Sequence, residues 1–424
     1  MTNIPKKKWN QKHLAALIII STAYIAVFVN IQGFKAMLPL VQDEFLISRA
    51  QVGLYSSFYF FSTVMIAVFS GRIADYLGTK KGLVLGVCIV ALMMILHSVS
   101  PYFGLILILA FFTGIAFSLI TPSVNKGVIE LSEPSKRSSS MGLVHGGGGL
   151  GGFFGAVMLP YFGEMVGWRT ALLFSSIFAL LIAFFIFRFY QPVVEKKKVE
   201  ENEVSSEENK TTTLKEDLKY LLKNRYLVSV FLMGAIFGMG ISSVTGHFPL
   251  YLARDLGTTA SFAGLGLGIY HIGGITGQPF WGLVNERVFH GNRRKGLSLL
   301  GLLVAGLIFF FGLVVSRFNF PPYAILLFSF LLGFCTLGII AIYFTAVSEL
   351  VSSKYTGVVT GLALIFPRTS TVITPPLFGL VADITGTYAL SWVLLGAVVL
   401  TLTLGFLYFS GKNSKSACTN SRAE

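Results

Sequence analysis

Charge is scarce in this sequence. Lysine, arginine, aspartate and glutamate make up 12% of 424 residues, about half the share of an ordinary soluble domain, too little to clothe a water-soluble fold. With 54% hydrophobic residues and a mean hydropathy of +0.73, the chain reads as a membrane protein. Cysteine is scarcer still. Cys88, Cys335 and Cys418 stand far apart, the first two inside apolar runs, which excludes a disulfide framework and gives redox chemistry no footing. No nucleophile–base pair and no metal-ligand cluster stands out, so neither an enzyme nor a cofactor is expected. Acidic residues are missing from the middle of the apolar runs: Asp43, Glu44, Glu164, Asp255 and Asp383 fall at outer ends or loops, Glu130 and Glu349 at inner ends. That removes the interior carboxylate a cation site normally uses. The one excess is positive, +14 net, but it is spread over termini and loops. It therefore reports topology, and no nucleic-acid partner is expected.

Apolar runs of about 20 residues or more, enough to cross a bilayer, fall near 14–40, 50–70, 83–99, 102–130, 140–163, 168–190, 227–252, 260–284, 297–315, 322–350, 356–382 and 388–409. An all-α membrane protein with twelve spanning helices in two sets of six is expected. Lys6, Lys7, Lys8 and Lys12 precede the first run as in a signal peptide, but that run is longer than a signal-peptide core and reads as a first span. Inner loops carry Arg72, Lys80, Lys81, Arg293, Arg294 and Lys295 among others, whereas the outer loops hold Arg49, Arg169, Arg254 and Arg317. The asymmetry puts both termini in the cytoplasm of a multi-pass cell-membrane protein.

Between the sets lies a solvated linker, 191–226, rich in Glu, Lys, Ser and Thr. Near its end Thr213 and Glu216 have capping-box spacing, and Leu214, Leu218, Leu221 and Leu222 share one face, as in a short helix on the inner membrane surface. The expected organisation is a bundle over 1–190, the linker, and a bundle with a cytoplasmic tail over 227–424. The bundles are repeats: Gly114, Glu130, Gly142 and Gly167 recur at Gly333, Glu349, Gly361 and Gly386, a constant 219 positions later. Leu38-Pro39-Leu40 likewise resembles Phe248-Pro249-Leu250.

Charges inside spans are costly, about 2.5 to 3.5 kcal/mol each on insertion scales, and are functional candidates by default. Arg368 lies near the middle of span 11; the alternative is an arginine bonded to carbonyls opened by Pro367, Pro375 and Pro376. Lys35, four residues before Pro39, either binds an anion or snorkels to the outer interface. Lys126 is one turn from Glu130, which favours an i, i+4 ion pair or snorkelling. His145, His247 and His271 suit interhelical hydrogen bonds, and His271, beside Tyr270, is also placed to let a proton travel with an anion. Tyr59, Tyr270 and Tyr343 could line a cavity or simply pack. The run from Gly146 to Gly152 has no Lys-Ser/Thr after it and no strand before it, so it is no phosphate loop; such glycines let helices approach closely or bend.

The polar stretch Gly71-Arg72-Ile73-Ala74-Asp75-Tyr76-Leu77-Gly78-Thr79-Lys80-Lys81-Gly82 reads as a turn between spans 2 and 3, with a degraded copy at Gly282-Leu283-Val284-Asn285-Glu286. It resembles the loop between helices 2 and 3 of the major facilitator superfamily. Gly167-Trp168-Arg169 at the start of span 6 and the glycine run of span 5 resemble that family too, although Gly148 stands where its antiporter motif has proline. The resemblance implies two pseudo-symmetric six-helix bundles that work by alternating access. It implies a latch of Gly71, Asp75, Gly78, Lys80 and Lys81, with Asp75 facing the start of span 11 near Thr356. Ala110 stands where many proton-coupled members carry arginine. A basic residue on span 11 looks like the family's organic-anion carriers, oxalate/formate exchangers and monocarboxylate-like members included, which pair it with an arginine on span 8 where this chain has His271.

The reading is a secondary transporter of a small organic anion, a carboxylate, acting as a monomer with a proton or counter-anion as coupling ion. Arg368 would be the main counter-charge and Lys35 the second. The alternatives are efflux of hydrophobic compounds, suited by 39 phenylalanines and 45 glycines, and a receptor that keeps the fold without transport.

Overall fold

A computed structural model describes residues 11–133, 136–191, 225–318, 320–349 and 356–420, and among them it contains helices and no strand. The linker helix expected near 213–222 and the lysines Lys6, Lys7 and Lys8 lie outside the described residues. In chain order the helices are α1 (Gln11–Ala36), α2 (Leu38–Phe45), α3 (Arg49–Ser98), α4 (Phe103–Leu131), α5 (Arg137–Val166), α6 (Trp168–Phe189), α7 (Arg225–Arg254), α8 (Ala260–Arg287), α9 (Arg293–Phe310), α10 (Pro322–Thr336), α11 (Gly338–Glu349), α12 (Thr356–Thr385) and α13 (Ala389–Asn420). Among the described residues ten segments are long and apolar enough to span a membrane. The run 50–70 within α3 and the run 260–284 within α8 complete the twelve-helix pattern.

The breaks between elements have local causes. Pro39 at the start of α2 has no N–H to give to the carbonyl of Lys35, so α1 stops and span 1 continues as α2. The stretch read as a turn between spans 2 and 3 is instead helical on both sides of Gly78, which alone leaves helical geometry, at φ +70° and ψ 166°. Only glycine takes that φ without strain. Span 9 ends in a wide π turn over Phe311–Val315, and span 10 divides into α10 and α11 at Leu337. Phe174, Phe178, Leu181, Phe184 and Phe187 stand exposed along α6, the arrangement expected of a helix facing acyl chains rather than water.

By contacts the chain divides into two compact units: Met1–Ile47 with Phe58–Val193 and Thr259–Gly268, and Ser48–Ser57 with Val194–Thr258 and Ile269–Glu424. In the first unit α1 and α5 are packed backbone to backbone. A Cβ on Gly151 would lie 2.5 Å from the Ile25 carbonyl oxygen, and one on Gly155 2.2 Å from that of Val29, so the glycine run serves close approach, as its composition suggested. Asn30 ties α6 to the same helix, its Oδ1 accepting from the hydroxyls of Ser175 (3.0 Å) and Ser176 (3.2 Å). In the second unit Phe248, Tyr251, Phe311, Phe378 and Trp392 pack largely edge to face. Tyr251 there donates to the Phe311 carbonyl that opens the π turn, 3.1 Å.

Candidate functional site

Lys35 occupies the last turn of α1, beside the break made by Pro39, and is 1% exposed. Its Nζ sits 4.9 Å from the centre of the Tyr59 ring and 4.7 Å from that of Phe60. These faces attract the cation through the ring quadrupole, worth roughly 2 kcal/mol when desolvated. They do not neutralise it. In the first unit Lys126 pairs with Asp75 and Arg169 with Glu44, and no carboxylate among the described residues pairs with Lys35. One turn earlier on α1, Gln32 is 8% exposed and its Oε1 is buried without a donor among the described residues. The first unit therefore places a positive charge and an unused acceptor on neighbouring positions of one helix. The sequence reading named Lys35 and Tyr59 but passed over Gln32; its signal was a polar amide in an apolar run.

The remaining candidates lie in the second unit. Arg368 is half-buried on α12, between Pro367 and Pro375. Each proline removes the donor to the carbonyl four residues earlier. Pro367 releases that of Ala363, which accepts from the Tyr343 hydroxyl at 2.7 Å, and Pro376 releases that of Val372, which accepts from Ser57 at 2.5 Å. Two of the opened carbonyls are thus taken by hydroxyls, and Tyr343 is committed to the backbone. On α8 Tyr270 is fully buried, its hydroxyl without an acceptor among the described residues, and its ring lies 5.6 Å from that of His271. The other two histidines are occupied as interhelical ties: His145 with Asn125 at 2.9 Å, and His247 with the Pro375 carbonyl at 2.7 Å and the Tyr388 hydroxyl at 3.2 Å.

At the inner ends, of the two roles expected for Lys126, a pair with Glu130 or snorkelling, the pair does not form. Lys126 reaches Asp75 instead, at 3.1 Å to Oδ1 and 3.3 Å to the carbonyl, and Glu130 accepts from Thr79 at 2.7 Å. The break at Gly78 sets Asp75 and Thr79 on either side of it, both against the end of α4. Gly71 faces open space, Lys80 lies over the Phe187 ring at 5.3 Å, and Lys81 is exposed. In the second unit the equivalent ends are held by Arg293, which binds Glu349 through two nitrogens at 2.7 and 3.0 Å and Glu286 at 2.5 Å.

The outer ends carry contacts that sequence reasoning filed as loop charges. In the second unit Asp383 at the end of α12 accepts from the N–H groups of Arg49 and Ala50 at the start of α3, both 2.8 Å. The Arg49 side chain donates to the Ala382 carbonyl at 2.8 Å, lies 3.5 Å from Asp255 and stacks on Tyr388 at 4.9 Å. Burial pushes the Asp255 carboxyl up, against the opposing pull of the Tyr388 N–H and Arg49. In the first unit Glu164 at the end of α5 accepts from the N–H (3.0 Å) and the hydroxyl of Ser261 at the start of α8. Glu44 takes the indole N–H of Trp168 and the guanidinium of Arg169, which is the task of the Gly167-Trp168-Arg169 motif. The spacing of the repeats was the signal available: Glu164 and Asp383 are 219 positions apart, like the glycines.

No group of three or more His, Cys, Asp or Glu among the described residues could hold a metal. Compared with known proteins, the chain matches the model of the Major Facilitator Superfamily over residues 20–253 and 230–424. It is similar to a hexuronate transporter of Bacillus subtilis (strain 168), 23% identical over 413 residues, 95% of each chain. Multidrug resistance protein 2 of the same strain is 24% identical over 267 residues, 60% of this chain and 62% of that one. Among solved structures, an inward-facing, occupied bacterial homolog of the human lysosomal transporter Spinster has a TM-score of 0.76 at 13% identity, covering 95% of this chain and 97% of that one. At that identity the likeness is one of fold.

Proposed function

The chain belongs to the major facilitator superfamily, and from that premise we propose that it is a secondary transporter whose cargo is a small organic anion bearing a carboxylate. The observation that carries this reading is Lys35: an amino group closed off from solvent, faced by two aromatic rings, with no carboxylate partner among the described residues. A buried charge left without an opposite charge costs several kcal/mol, and a carboxylate cargo would supply the missing one. Arg368, on a helix that carries three prolines, offers a planar fork suited to a carboxylate. His271 is the group placed to take a coupling proton. Access to the cargo would alternate between the two sides of the cell membrane, with both termini in the cytoplasm and the protein working as a monomer. The similarity to a hexuronate transporter supports an anionic cargo of this size.

A second reading, efflux of hydrophobic compounds, is favoured by the similarity to Multidrug resistance protein 2. Thermal stabilisation of the purified protein separates the two, because a ligand that binds only the folded state raises the melting midpoint. Glucuronate and smaller carboxylates should stabilise the parent, and Lys35→Gln and Arg368→Gln should abolish that response. Stabilisation by lipophilic cations alone, undiminished in both variants, would overturn the anion reading in favour of efflux.

A further inference from the structure

A recess of about 400 Å3 opens beside the first turns of α9, lined by Arg294, Lys295, Ser298, Leu299, Leu302 and Leu407 among others. We propose that it binds the headgroup of an anionic phospholipid of the inner leaflet, a site separate from the cargo site. The basic side is built rather than incidental. The Arg294 guanidinium is held in place by bonds from Nε to the Ser410 hydroxyl (2.6 Å) and from Nη2 to the Leu407 carbonyl (2.9 Å). An arginine has five N–H donors, so three remain to meet phosphate oxygens. Lys295 follows it in the chain, exposed and in none of the ion pairs among the described residues. One turn on, Ser298 is 6% exposed and its hydroxyl is buried with no partner among the described residues. No acidic residue among the described ones lines the recess to repel an anion.

The apolar side decides between a lipid and a soluble anion. Leu299 and Leu302 are 36% and 40% exposed on a membrane-spanning helix, so the recess continues onto a surface that acyl chains cover. The excess of basic residues in neighbouring loops places this end at the cytoplasmic face, and basic pockets at that depth between spanning helices suit anionic headgroups. The occupant fitted by both sides has a phosphate with a net negative charge and an acyl tail, as phosphatidylglycerol does.

The test uses the full-length protein in a neutral detergent, with phosphatidylglycerol, phosphatidylcholine or inorganic phosphate added and the melting midpoint read. Phosphatidylglycerol should raise the midpoint by about 3 °C or more at saturation, phosphatidylcholine less, and phosphate not at all. Lys295→Gln should remove most of the difference between the two lipids, whereas Arg287→Gln, an exposed inner arginine outside the recess, should leave it. Equal responses to both lipids would overturn the proposal, as would equal losses in the two variants. A shift produced by phosphate alone would make this a soluble-anion site. None of these outcomes depends on the identity of the cargo.

Discussion

Asp383 and Glu164 perform the same task at equivalent positions of the two repeats. Asp383 receives the first backbone N–H groups of α3, at Arg49 and Ala50, and Glu164 receives those of α8, at Ser261. Ala50 and Ser261 are themselves equivalent, 211 positions apart, like Gly71 and Gly282. Early N–H groups of a helix have no partner within it, and the helix dipole favours an anion there. Losing such a cap costs about 1 kcal/mol. Asp383→Ala and Glu164→Ala should each lower the melting midpoint by about 1–2 °C, and the double variant by their sum, since the two caps share no partner. A double variant no worse than either single one would show that the two contacts are coupled.

Tyr343 and Ser57 each fill a carbonyl opened by a proline of α12. In a bilayer water is not there to replace them. Tyr343→Phe and Ser57→Ala should each cost about 1–3 kcal/mol, read as a lowered midpoint, while cargo affinity stays within about twofold. Arg368→Gln should do the reverse, losing affinity with little change in the midpoint of the cargo-free protein. If Tyr343→Phe lost affinity as Arg368→Gln does, Tyr343 would line the cargo site.

Much of this is legible in the sequence. Membrane helices announce themselves by length, the glycine run by composition, and the repeat by its constant offset. What escaped the sequence was pairing. Lys126 was matched with Glu130 because the two are one turn apart, but helix-surface neighbours compete with partners from other helices, and the bend at Gly78 brought Asp75 closer. For Tyr343 the sequence leaves cavity lining and packing both open, because a phenol is a generic donor; which acceptor claims it depends on where Pro367 leaves Ala363 in space. Arg49, Asp255 and Asp383 were counted as separate loop charges, since nothing in a linear chain says that the ends of α3, α7 and α12 meet.

Asp75 and Lys126 form a pair whose carboxylate side chain is 76% exposed and whose lysine is 29% exposed. Such pairs contribute about 0–1 kcal/mol, so Asp75→Asn should leave the midpoint nearly unchanged. If Asp75 acts as the latch, maximal transport in proteoliposomes should nonetheless fall, by about tenfold for roughly 1.4 kcal/mol on the conformational step, with the half-saturating concentration little altered. Unchanged transport would reduce the contact to an ordinary surface ion pair.

Gln32 offers an unused acceptor one turn from Lys35, and an acceptor is served by a hydroxyl on the cargo. Glucuronate should therefore bind more tightly than cyclohexanecarboxylate, which keeps the ring and the carboxylate but lacks the hydroxyls. Gln32→Leu should shrink that preference by about tenfold, the worth of one buried hydrogen bond, without abolishing carboxylate binding. Equal binding of both ligands by the parent would exclude the contact.

Asp255 supplies a pH dependence whose sign is fixed by its surroundings. Burial raises its carboxyl above the ordinary value of 3.8, the Tyr388 N–H and Arg49 pulling the other way. A raised value means that the folded protein holds the proton more firmly than the unfolded chain does, so the group favours folding most at low pH. That contribution drains as pH rises from the ordinary value through the raised one, and above it the buried charge is a constant cost. Asp255→Asn keeps an oxygen for the Tyr388 N–H while removing the ionisation. Melting midpoints taken from pH 4 to pH 7 should fall more steeply, or rise less, in the parent than in Asp255→Asn. Parallel curves would mean that Arg49 at 3.5 Å compensates the burial in full.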